Sequence, residues 1–149
     1  MRIEVKRAIG ADPTSVFAVL ADLEHWPEWE ESFVEVALQS GQARTTGARY
    51  RCKRKMPQIV ESTFVLRSFE PGSRVEIEGD WIGSFKPAGG YAVKASDGGS
   101  EVTSFATPQL RGAGVLMTPL LAVFGRRLSR RYLDNLARVV ERGTSPTRH

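Results

Sequence analysis

Apolar and polar residues alternate from the start of the chain, with Ile3, Val5 and the Ala8-Ile9 pair set among Arg2, Glu4, Lys6 and Arg7. A period of two belongs to a half-buried strand, and Gly10 ends it. Asp12-Pro13 then supplies an N-cap and a first-turn proline, and Val16, Phe17, Val19, Leu20 and Leu23 follow at helical spacing, which predicts a short amphipathic helix. Pro27 predicts a second short helical piece over 27–31, with a bend between the two. From residue 33 to 110 the pattern changes to runs at 33–38, 48–56, 59–69, 74–81, 84–95 and 101–110. Turn-forming residues separate them: Ser40-Gly41-Gln42, Pro57, Pro71-Gly72-Ser73, Gly83 and Asp97-Gly98-Gly99-Ser100. Short runs joined by tight turns predict an antiparallel meander and not a set of βαβ units. Gly89-Gly90 inside 84–95 reads as a bulge or sharp bend.

After Pro108 and Gly112-Ala113-Gly114 the spacing becomes helical over 115–142. At about 100° per residue, Leu121, Phe124, Leu128, Tyr132, Leu136 and Val139 share one face, predicted to be core, and Arg126, Arg127 and Arg130 fall opposite. Pro119 places the start of the regular helix near itself, and Gly143 with Pro146 behind it stops the helix. The expected division is a ligand-binding domain over 1–143 and a flexible tail over 144–149.

Composition narrows the class of protein. At 149 residues the chain is one domain of ordinary size, and with 41% hydrophobic and 26% charged residues it is not disordered throughout. Its net charge of +4 permits an anionic partner without requiring one. The apolar stretch 115–124 is broken by Thr118-Pro119 and is shorter than the ~20 residues of a membrane span. The N-terminus lacks a continuous apolar signal core, so cytoplasmic residence is the expectation. A single cysteine, Cys52, excludes an internal disulfide and a cysteine-based metal site.

The order of elements and three local motifs carry a family resemblance. Ile9-Gly10-Ala11-Asp12-Pro13-Thr14-Ser15-Val16-Phe17, running to Leu20-Ala21-Asp22, resembles the opening of START-like and polyketide cyclase/dehydrase proteins. Trp26-Pro27-Glu28-Trp29 resembles their Pro-x-Trp turn, and Asp97-Gly98-Gly99-Ser100-Glu101-Val102-Thr103 their Gly-x-x-Val-Thr element. The resemblance covers nearly the whole chain. It implies an α+β helix-grip fold: a curved antiparallel sheet of about seven strands, two short helices and one long C-terminal helix, with a cavity between sheet and helix. It implies far less about function, because fold and activity are separable.

Within 49–56 the alternation puts Tyr50, Cys52, Arg54 and Met56 on one face and Arg49, Arg51, Lys53 and Lys55 on the other, so the all-basic row is the outer one. Arg54 is left on the inner face, where a guanidinium needs an anionic or carbonyl partner; it is the best candidate for a ligand's polar end, unless it reaches solvent at the strand end. Trp26, Trp29, Tyr50, Phe64, Trp81, Tyr91, Met117, Leu121 and Phe124 complete the set expected to line a cavity, although the same residues could equally fill a core. His25 among Asp22, Glu24 and Glu28 lacks the further nitrogen or sulfur ligands of a zinc site, and Cys52 has no histidine placed to activate it. The carboxylates Glu61, Glu76, Glu78 and Glu101 all fall on the outer face, leaving no acidic residue clearly offered to a cavity. No phosphate loop, nucleophile elbow or dinucleotide fingerprint occurs, so no cofactor and no metal are expected.

These residues favour a carrier for a small hydrophobic or amphipathic molecule. A polyketide cyclase/dehydrase, with Arg54 or Tyr50 polarising a carbonyl, is the enzymatic alternative; an interaction module using the basic surfaces is the third. Those surfaces admit transient contact with an anionic membrane, whereas the lack of interleaved aromatics speaks against nucleic acid. The oligomeric state is not legible.

Overall fold

The N-terminal alternation becomes β1 (Ile3–Ile9), with Ile3, Val5 and Ile9 buried. Asp12 caps α1 (Pro13–Leu20), its side chain accepting from the Ser15 backbone N–H at 3.2 Å, with Pro13 in the first turn. In this computed structural model, residues 1–56 and 58–143 are described; the tail expected over 144–149 lies outside them. The second helical piece is a 3₁₀ helix, Leu23–Glu28, and not the predicted 27–31: Pro27 lies inside it, where short i→i+3 turns tolerate a missing N–H.

The strands follow as β2 (Phe33–Ser40), β3 (Arg49–Met56), β4 (Gln58–Glu70) and β5 (Arg74–Gly79). The next two predicted runs are each divided at a proline, which cannot donate to the ladder. Pro87 separates β6 (Phe85–Lys86) from β7 (Ala88–Ser96), and Pro108 separates β8 (Gly99–Ala106) from β9 (Gln109–Leu110). β6 and β9 pair with each other in a small second sheet, and Phe85 also bridges Ile82. The main sheet is antiparallel with seven strands in the order β1-β8-β7-β5-β4-β3-β2, the predicted meander closed by β1.

The Gly89-Gly90 pair is not a bulge, since pairing runs unbroken through it to β5 and to β8. These glycines answer a different need. A Cβ on Gly90 would sit 2.0 Å from the Val75 carbonyl oxygen, and one on Gly89 would sit 2.3 Å from that of Phe105. The register irregularities fall instead in β2, between Phe33 and Glu35 and between Leu38 and Ser40, and between Leu66 and Ser68 in β4.

A second 3₁₀ helix, Gly112–Met117, leads into α2 (Thr118–Gly143), which packs on β1, β8 and α1. The predicted core face of α2 needs correction. Leu133, Leu136, Ala137 and Val140 are buried, each large apolar side chain contributing roughly 1.5–3 kcal/mol, with Tyr132 and Val139 at the margin. Phe124 and Leu128 are 47% and 45% exposed. The C-terminal half of α2 seals against the sheet; the N-terminal half passes over a cavity and meets β1 where Gly125 packs on Ile3. The outer face of the sheet carries Arg49 and Lys53 of the expected basic row, paired with Asp80 at 3.6 Å and Glu35 at 3.8 Å, whereas Lys55, expected in the same row, lies at the cavity beside Arg54. No helix among the described residues is long and apolar enough to cross a membrane.

Candidate ligand-binding cavity

The cavity has a volume of about 420 Å³, within the range of small-molecule sites. α2 lends it Leu121, Gly125, Leu128, Ser129 and Tyr132, and β7 lends Tyr91. The rest of its apolar wall includes Ile3, Trp26, Ile77, Phe85 and Pro87. Its polar lining includes Glu30, Glu31, Ser32, Arg54, Lys55, Tyr91 and Tyr132, of which Glu30 is hydrogen-bonded to Tyr91 and Ser32.

Glu30 is the residue the sequence did not offer. It is buried, with its backbone N–H donating to the Trp26 carbonyl at 2.8 Å and its own carbonyl accepting from Phe33 at 3.1 Å. The Tyr91 hydroxyl donates to Glu30 Oε1 at 2.5 Å and the Ser32 hydroxyl to Oε2 at 2.9 Å. Helix α2 clamps the loop that carries it. Asn135 Nδ2 donates to the Trp29 carbonyl at 3.0 Å, and Arg131 makes a two-pronged contact with Glu31 at 2.6 and 2.9 Å. That guanidinium and Asn135 hold the Glu31 carboxyl below the usual carboxylate range.

Burial pushes the Tyr91 phenol well above its ordinary range, and the adjacent Glu30 carboxylate pushes in the same direction, so Tyr91 is a hydrogen-bond donor and not a base. The Tyr132 phenol is raised too, chiefly by burial and then by Glu30, with Ser32 opposing. Arg54 stands with its guanidinium 4.1 Å from the centre of the Phe33 ring and forms no ion pair among the described residues. Its charge therefore faces the cavity wall without a fixed counter-ion. Carboxylate acceptor, phenol donors and guanidinium together can grip a hydroxyl, carbonyl or carboxylate on an otherwise apolar molecule.

Of the residues expected to line a cavity, Trp26, Arg54, Tyr91 and Leu121 do so. Trp29, Tyr50 and Phe64 belong to the filled core. Tyr50 and Phe64 are cross-strand partners on β3 and β4, stacked with ring centroids 5.1 Å apart, and Trp29 packs edge-on to Tyr91 at 5.0 Å. Trp81, Met117 and Phe124 are exposed, and the Arg111 guanidinium lies over the Trp81 ring at 4.3 Å. Strand alternation could place Arg54 and Tyr91 on the inner face. It could not find Glu30, which sits in a loop and reaches the cavity only because Tyr91 meets it from a sequence distance of 61 residues.

His25 pairs with Asp22 at 2.9 Å on the surface, which raises its pKa, and Cys52 is buried 3.4 Å from the Ser62 hydroxyl. Among the described residues no group of three or more His, Cys, Asp or Glu is arranged to hold a metal ion.

Residues 1–141 match the family described as polyketide cyclase / dehydrase and lipid transport. The chain belongs to that family. None of the curated proteins matches it in sequence. Its fold is shared with solved structures of low sequence identity. The Zhui aromatase/cyclase from Streptomyces sp. R1128 superposes with a TM-score of 0.81 at 14% identity, covering 99% of this chain and 98% of that one. A START superfamily protein from Mycobacterium smegmatis gives 0.79 at 11% identity, covering 96% and 99%. The protein TTHA0849 from Thermus thermophilus gives 0.78 at 18% identity, covering 97% and 100%. At these identities the likeness establishes the fold alone, the helix-grip architecture, while the family rests on the match over residues 1–141.

Proposed function

We propose that the protein binds and carries one small amphipathic molecule in the cavity under the N-terminal half of α2. The observation that supports this reading is the division of the cavity wall: apolar side chains around most of it, with Glu30, Tyr91, Tyr132 and Arg54 gathered at one end. An apolar body gains the transfer free energy of burial, while its polar end replaces the hydration it loses with hydrogen bonds to those groups. Arg54, lacking an ion-pair partner, favours a ligand whose polar end is a carboxylate or a strongly polarised carbonyl.

The test is a titration with apolar fluorescent probes and with fatty and polycyclic carboxylic acids, followed by tryptophan emission, since Trp26 lies in the wall. Saturable 1:1 binding is expected. Arg54→Met should weaken the carboxylic acids about 10–100-fold, the worth of a hydrogen bond to a charged group, and leave neutral probes unchanged. Absence of saturable binding by every compound would reject the carrier.

One observation favours the cyclase alternative as a second reading. Glu30 is a carboxylate facing the cavity, where the sequence had offered none. Glu30 would take the proton from a carbon between two carbonyls of a polyketone. The resulting enolate carbon would form a bond to the carbon of a third, remote carbonyl, whose π pair moves to its oxygen, and that alkoxide would regain the proton from Glu30. Arg54 and Tyr132 would hold the negative oxygen, in place of Tyr50, which is buried against Phe64. Turnover of a reactive polyketone far above the spontaneous rate, lost in Glu30→Gln while affinity persists, would make this the better reading.

A further inference from the structure

The end of the molecule beside the cavity is apolar where solvent would be expected to demand polarity. Leu116 is 83% exposed and Val123 59%, and Val115, Met117, Leu120 and Phe124 are about half exposed. They form one continuous stretch, the second 3₁₀ helix and the first turns of α2. The Arg111 backbone N–H donates to the Ser84 carbonyl at 3.0 Å, and Gly114 packs closely on Ser84. These contacts bring the stretch against the loop that holds exposed Trp81 and its Arg111 neighbour.

The charge of this region has one sign. From Val102 to Leu133 there is no acidic residue, while Arg111, Arg126, Arg127, Arg130 and Arg131 are present. Arg131 is taken by Glu31, but Arg126, Arg127 and Arg130 have no ion pair among the described residues. Leu120, Val123, Arg127 and Arg130 follow one another at helical spacing along one stripe, apolar first and basic behind. Leu120 and Arg127 are about 10 Å apart along the axis, comparable to the depth at which an interfacial helix buries its apolar side below the headgroups.

We propose that this end docks on an anionic lipid bilayer, with Leu116, Leu120, Val123 and Phe124 entering the interface and Arg126, Arg127 and Arg130 meeting the headgroups. A cation-flanked apolar tip without acidic neighbours fits that surface by charge. A second copy of the chain fits poorly, because a two-fold contact through this face would set its arginines against their own counterparts. Leu121, Gly125 and Leu128 of the same turns line the cavity, so docking would bring the cavity's wall to the membrane. The inference stands apart from what the cavity holds.

The experiment is co-sedimentation of the whole protein with phosphatidylglycerol/phosphatidylcholine vesicles and with pure phosphatidylcholine vesicles, at ~0.1 M and ~1 M salt, where the Debye length falls from ~10 to ~3 Å. Binding is expected to anionic vesicles at low salt and to be largely lost at high salt. Arg127→Gln with Arg130→Gln should weaken it about 25-fold, at roughly fivefold per cation. Leu116→Ser with Leu120→Ser should weaken it at least tenfold. Cavity binding of a fluorescent probe should persist in both double variants, since none of these residues lines the cavity. No vesicle binding, equal binding to neutral vesicles, or indifference to both double variants would overturn the proposal. So would a dimer in light scattering that Leu116→Ser dissolves while vesicles are ignored, which would assign the face to a second copy.

Discussion

The hydroxyl of Tyr91 donates to the Glu30 carboxylate at 2.5 Å, joining the middle of the sheet to the loop that precedes β2. Both residues line the cavity, so the contact sets the polarity of that part of its wall. Without a donor, a buried carboxylate would retain a desolvation cost with nothing to offset it. With the phenol and the Ser32 hydroxyl in place, Glu30 can face an apolar chamber as an acceptor.

Removing the phenol oxygen should expose that cost. Tyr91→Phe is expected to destabilise the protein by about 1–3 kcal/mol, the penalty for leaving a buried acceptor short of its donor. At roughly 2–4 °C per kcal/mol for a chain of this size, the thermal midpoint should fall by several degrees. A midpoint within a degree of the parent would show that the pair does not bear on stability.

The tyrosines predict an alkaline response. The chain has three, and all are raised: Tyr91 far above its usual range by burial and by Glu30, Tyr50 and Tyr132 mainly by burial. A raised phenol keeps its proton longer in the folded state than in the unfolded chain. Its contribution to stability is therefore complete below about pH 10 and is lost as pH climbs through the folded value. Absorbance titration of native protein should show little phenolate near pH 10, then a rise coincident with unfolding. Smooth titration of all the tyrosines near 10 in folded protein would contradict this.

On α2, two leucines should behave oppositely. Leu136 is fully buried, so Leu136→Asp should cost several kcal/mol or prevent folding. Leu128, on the cavity and 45% exposed, should accept aspartate for about 1 kcal/mol or less. Chemical denaturation of the two variants distinguishes this face from the one periodicity suggests.

Gly90 allows the close passage of β7 beside β5. Because a Cβ there meets backbone at 2.0 Å, the strand must shift to admit alanine, and Gly90→Ala should cost about 1–3 kcal/mol or more. Unaltered stability would mean that the strands sit farther apart.

The sheet was largely legible because its signals are local. Alternation marks β1, and turn residues punctuate the meander. Pro87 and Pro108 divide strands that a reading of apolar runs alone leaves whole. What escaped was long-range. Periodicity groups Phe124 and Leu128 with Leu136, yet cannot say where along α2 the sheet ends beneath it. The aromatic residues were equally ambiguous: Tyr50 and Phe64 satisfy each other by stacking, whereas Trp26 and Tyr91 border open space, and composition does not separate the two cases. Glu30 carries no local signal of burial, because its place depends on Tyr91 and on the clamp from Asn135 and Arg131.

In the proposed function an amphipathic molecule occupies the cavity with its polar end at Glu30, Tyr91 and Arg54. Native mass spectrometry of the protein purified from its own host, beside a Ser129→Trp variant that fills the cavity from α2, tests it most directly. The parent should carry a single bound species of small mass, extractable as one amphipathic compound bearing a carbonyl or carboxylate, and the variant should lack it. A parent that is always bare and binds no offered amphiphile, or an adduct that survives unchanged in Ser129→Trp, would contradict it.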